Sequence, residues 1–140
     1  MLIIERMIAA AAVFTAAHFA MGFINPSAGG STGALLFPYA SDAPTRWVFG
    51  SLDRMPFALL TPVMIGVAGI AVLAFFLALL ATFNVWVSPD LWRPLVLVGA
   101  ACSAALLVLH PTIWAVIPLG LNAGLAWVAW TTAWTPVGAP

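Results

Sequence analysis

Lysine is absent from this sequence, and all charged residues together make up only 6% of its 140 residues. Without lysine, and with a formal net charge of zero, it has no basic stripe for phosphate contacts, which excludes nucleic acid as a partner. It also lacks the cluster of cations that would bind anionic lipid head groups. The single cysteine, Cys102, forbids an internal disulfide and any multi-cysteine zinc site. Cys102 lies in an apolar run and reads as a small packing residue.

Other absences narrow the chemistry. No two acidic residues are spaced as a catalytic pair, no ligand cluster suits a metal, and no glycine motif carries the lysine of a phosphate site. Glu5, Asp42, Asp53 and Asp90 fall at termini or in loops, so a proton relay would have no acid at depth. The chain is therefore expected not to be an enzyme.

What is abundant is hydrocarbon. Hydrophobic residues make up 64% of the chain, and its mean hydropathy is +1.14. A water-soluble domain of this size needs a polar rind, and eight charged side chains cannot supply one. The solvent for most of this surface should be lipid. Crossing the hydrocarbon of a bilayer takes about 20 helical residues, and four runs qualify: about 7–24, 57–84, 94–110 and 112–130. The predicted fold is all-α, an integral membrane four-helix bundle forming one domain over 1–140.

The long first loop, 25–56, opens with a Gly- and Ser-rich stretch. It continues with Arg46, Trp47, Phe49, Leu52, Asp53 and Arg54, a mixture suited to an interfacial helix. Ser88-Pro89-Asp90 reads as a turn. His110-Pro111 should end the third helix and leave only a tight turn before the fourth. The first run follows Arg6 as a signal peptide's would, but Glu5 and the lack of a cleavage site favour an uncleaved spanning helix.

Tryptophan distribution supports four crossings, because indoles gather at lipid–water interfaces. Trp86, Trp92, Trp130 and Trp134 fall on one side, Trp47 and Trp114 on the other, and Trp127 lies deeper. Orientation is not encoded in arginine. Arg6 and Arg93 lie on one side, Arg46 and Arg54 on the other.

Polar residues inside spans are expected to bond across helices: Thr15, His18, Ser103 and Asn122. Small residues should allow close helix approach: Ala12, Ala16 and Ala20 in the first run, Gly99 in the third, and Gly120 and Gly124 in the fourth. A sharper alternative makes His18, or less favourably His110, an axial ligand to haem or a chlorophyll-type pigment. No cofactor is required by the sequence.

With Leu109-His110-Pro111 and the run Leu119-Gly120-Leu121-Asn122, the chain resembles small bacterial four-helix membrane proteins, some of them grouped as DoxX-like. The resemblance lies in helix count, the long first loop, and the glycine and asparagine of the last helix. It implies a membrane-bound redox accessory role and carries no catalytic residue to a position here. The function expected first is a non-catalytic accessory or scaffold subunit among other transmembrane subunits. The bacterial inner membrane is the expected location, in a photosynthetic or respiratory assembly. The alternatives are a cofactor- or quinone-binding redox protein and a small transporter or channel component.

Overall fold

The computed structural model describes residues 2–21, 57–109 and 115–131, with side chains placed at 3–21, 62–108 and 115–131. Four α-helices make up these stretches: α1 (Leu2–Met21), α2 (Phe57–Thr82), α3 (Trp92–Leu109) and α4 (Val116–Thr131). No strand occurs among the described residues. The loop at 25–56, with its interfacial segment, and the His110-Pro111 junction lie outside the described residues.

Three helices, α1, α2 and α3, are long and apolar enough to cross a membrane. The 26 residues of α2 reach about 39 Å at helical rise. The 16 described residues of α4 reach about 24 Å, short of the roughly 30 Å of a bilayer's hydrocarbon. Four full crossings were expected, and among the described residues α4 stops short. The first helix also begins at Leu2, five residues ahead of the expected start, and so takes in Glu5 and Arg6. An acidic side chain in a first turn faces the positive end of the helix dipole, so Glu5 favours the early start.

The end of α2 is set by Asn84. The amide of Asn84 donates to the Ala81 carbonyl at 3.1 Å, and that of Val85 to the Leu80 carbonyl at 3.0 Å. This is the paired closure of a Schellman motif, which needs a left-handed residue one position past the cap. Asn84 supplies it with φ 55°, a conformation that asparagine adopts more readily than most residues. Trp86, also at positive φ (59°), then bends the chain so that the Val87 amide donates to the Val85 carbonyl at 2.7 Å. The turn expected at Ser88-Pro89-Asp90 is a 3-10 turn, Pro89–Leu91, with Ser88 as its N-cap and Pro89 at its start.

α1 packs on α2, α2 on α3 and α3 on α4, with a thinner contact closing α4 against α1. The core lies where all four meet, around Val13, Ala16, Phe75, Ala78, Trp92, Val96, Leu125 and Ala129. Alanine dominates the buried positions, so backbones approach closely. The larger side chains point out: Ile8, Phe14, Ile70, Phe76, Ile117 and Trp127 are all more than half exposed.

Trp92 departs from the expected interfacial belt. It is 1% exposed, whereas Trp86 is 96% exposed. As the first residue of α3, Trp92 turns its ring inward and fills the end of the core, while Trp86 stands out from the turn.

Candidate functional site

A polar contact crosses between helices in the apolar middle of the bundle. The side-chain amide of Asn122 on α4 donates to the Ser103 hydroxyl of α3 at 2.8 Å, with both residues buried. Asn122 Oδ1, the other end of the amide, is buried with no hydrogen-bond partner among the described residues. Burying an unpaired carbonyl costs free energy, so this contact contributes more to register than to net stability.

Thr15 does otherwise than expected. It is exposed, and its hydroxyl donates to the Ala11 carbonyl of its own helix at 2.7 Å. Its place on the outer side of α1, away from Val13, Ala16 and Ala20, leaves no facing helix to meet among the described residues. A β-branched hydroxyl then satisfies itself on the preceding turn.

The small residues divide into two groups. Ala16, Ala20 and Gly99 are buried, and Ala12 packs at the margin of the core. At Gly99 the approach is closest, since a β-carbon there would lie 2.9 Å from two ring carbons of Phe75. Gly120 and Gly124 differ: both are exposed, and no described residue lies within 4 Å of where their β-carbons would stand. Among the described residues they do not bring α4 against another helix. Their side of α4 opens on a cavity.

That cavity, of about 550 Å³, lies between α1 and α4. From α1 come Glu5, Ile8, Ala9 and Ala12, and from α4 come Gly120, Leu121, Gly124, Leu125 and Val128, with Trp92 of α3 joining them. The lining brings together the first turn of α1, the start of α3 and the last turns of α4, so these three meet at one end of the bundle.

Arg93 fixes the same junction. Its Nε donates to the Ala129 carbonyl at 2.8 Å and its Nη2 to the Trp130 carbonyl at 3.3 Å. Carbonyls in a last helical turn have no partner within the helix and carry the negative end of its dipole, so a guanidinium there meets both needs. The four described charged residues, Glu5, Arg6, Asp90 and Arg93, all belong to this end of the bundle.

His18 falls in the last turn of α1, away from Glu5, and does not line the cavity. It is half-buried and meets Phe19 edge-on, with ring centroids 6.4 Å apart. The expected mid-span position shifts because α1 starts earlier. His110 lies outside the described residues. No group of three or more metal-ligating side chains occurs among the described residues.

No family model, curated protein or solved structure matches this chain. Its functional reading therefore rests on its own geometry.

Trp92, Arg93 and the cavity were not anticipated as features of a site. The signal for Arg93 lay in the topology: a cation at the start of one helix faces the end of its antiparallel neighbour. The cavity had a partial signal in Gly120 and Gly124, whose spacing told of a bare helix face but not of what stands opposite.

Proposed function

We propose that this chain is an integral membrane protein acting as a non-catalytic accessory or scaffold subunit within a larger membrane assembly. The observation that carries the reading is the outer surface. Large aliphatic and aromatic side chains stand exposed along every described helix, while the described charges collect at one end. Such a surface is costly in water and neutral in lipid or against other transmembrane helices. The interior supports the accessory role. Among the described residues it holds alanine packing and the Asn122–Ser103 pair, and the described cavity walls carry a single carboxylate. That is too little for acid–base or nucleophilic work.

A bacterial inner membrane and a photosynthetic or respiratory host belong to the same proposal, as does the redox setting that the DoxX-like layout implies. Purification in mild detergent followed by mass spectrometry tests it. A stoichiometric partner subunit is expected. A chain that migrates alone from native membranes would defeat the subunit reading.

The cavity favours a second reading on one point, the holding of an apolar ligand. About 550 Å³ lies within the range of small-molecule sites. His18 contributes nothing to that space, so the cavity does not support haem ligation.

A further inference from the structure

The walls of the cavity between α1 and α4 separate two kinds of chemistry along their length. Among the described residues of the lining, Glu5 is the one charged group. From there to Ala12 the α1 wall runs for about 10 Å at helical rise. It turns apolar at once with Ile8 and Ala9, facing Leu121, Gly124 and Leu125. On the α4 side the two glycines leave bare helix with open space above it.

The walls are apolar except for a carboxylate at one end, so an occupant with a hydrocarbon part and a cationic part matches both. An apolar void in a bilayer loses dispersion contacts on all its walls if left empty, and acyl chains are the filler at hand.

We propose that this cavity is a lipid site: it takes the hydrocarbon of a membrane lipid whose head group sets a primary ammonium on the Glu5 carboxylate. A carboxylate has two oxygens and about four acceptor positions, so a ligand N–H joins whatever contacts Glu5 already makes. Hydrogen bonds between two charged groups are the short, strong ones. Of the described cations at this end, neither Arg6 nor Arg93 lines the cavity, and Arg93 is held on the carbonyls of Ala129 and Trp130. An anionic head group would meet Glu5 with like charge, and a choline head group has no N–H to donate. The inference rests on the membrane part of the proposed function and not on the subunit part.

The test uses the full chain, purified in mild detergent and exchanged into vesicles of equal phosphatidylethanolamine, phosphatidylglycerol and phosphatidylcholine. Retained lipid is read by native mass spectrometry. Phosphatidylethanolamine should be retained about tenfold over phosphatidylglycerol, the factor that one charge-assisted hydrogen bond supplies. Gly124→Leu, whose side chain enters open space, should lose most retained lipid with its circular dichroism unchanged. Glu5→Gln should keep lipid but level the head-group ratio, a result a purely structural role for Glu5 would not give. Equal retention of the two head groups by the unaltered chain overturns the proposal. So does a Gly124→Leu protein that holds as much lipid as the original, or a co-purifying polypeptide that Gly124→Leu releases while no lipid is found. Recovery of the chain in water without detergent would instead defeat the membrane reading, and is observed before any lipid is added.

Discussion

Phe75 of α2 occupies the space that any side chain at position 99 of α3 would need. A β-carbon on Gly99 would lie 2.9 Å from its Cδ1 and Cε1 atoms, and Phe75 is itself fully buried. Glycine within a helix is ordinarily a liability of about 0.5–1 kcal/mol relative to alanine. Here the ordinary sign reverses. Gly99→Ala should destabilise the bundle by about 1–3 kcal/mol, the usual cost of overpacking a core that cannot shift. Gly120→Ala, with nothing near its β-carbon, should instead gain up to about 1 kcal/mol from helix propensity. Thermal unfolding of both proteins in one detergent compares them, and equal shifts would show that the Phe75 ring gives way.

The pairing of Asn122 with Ser103 should be worth little on its own. Interhelical hydrogen bonds within membranes average about 0.6 kcal/mol and reach about 1.7. Ser103→Ala removes the acceptor of the buried Asn122 amide, so its cost should lie toward the upper figure. Adding Asn122→Leu removes the stranded amide and should restore most of the loss. A double-mutant cycle on reversible unfolding reads this, and additive single effects would mean the two residues are not coupled.

Arg93 should matter to the end of α4 more than to global stability. Losing its contacts to Ala129 and Trp130 removes an interaction of about 0.3–1 kcal/mol with the helix dipole. In Arg93→Gln, hydrogen exchange should speed up in the last turn of α4 while the middle of α2 is unaffected. Uniform protection across both helices would refute the capping role.

How much of this was legible in the sequence depends on the kind of force involved. Three of the apolar runs emerged as helices long enough to cross a membrane because hydropathy and length are local sums over the chain. The α2 terminus was also readable to within two residues, since Asn84 carries its own preference for the left-handed turn. Trp92 was not. Tryptophan's average preference for interfaces says nothing about whether one ring at a helix start rotates inward, and that depends on the gap between two other helices. Thr15 misled for a related reason. Its spacing with His18 defines a face, but only the packing of Ala16 and Ala20 on α2 decides which face is inside. The cavity was least legible, because a void belongs to no residue.

Trp86 gives a prediction of a different sort. A bulky residue at φ 59° is strained, at a cost of about 1–3 kcal/mol. Trp86→Gly should relieve that strain and raise the unfolding midpoint in detergent. In vesicles, loss of an indole that is 96% exposed should remove the blue-shifted component of fluorescence expected for a ring at the head-group level. An unshifted spectrum for this residue would place it in water.

Membrane residence itself is open to a direct check. With large apolar side chains exposed on every described helix, the chain should stay with the pellet through an alkaline carbonate wash and leave it only with detergent. Release into the wash would remove the basis of the functional reading.

The guanidinium of Arg93 fastens onto carbonyls 36 and 37 positions further along the chain. During synthesis that clasp stays open until the last turn of α4 has been made, while the contacts of α1 with α2 and of α2 with α3 can form beforehand. The seam between the first helix and the last would thus be the final one to shut. The walls of the cavity that opens between them would first come together when the polypeptide's final turn is in place.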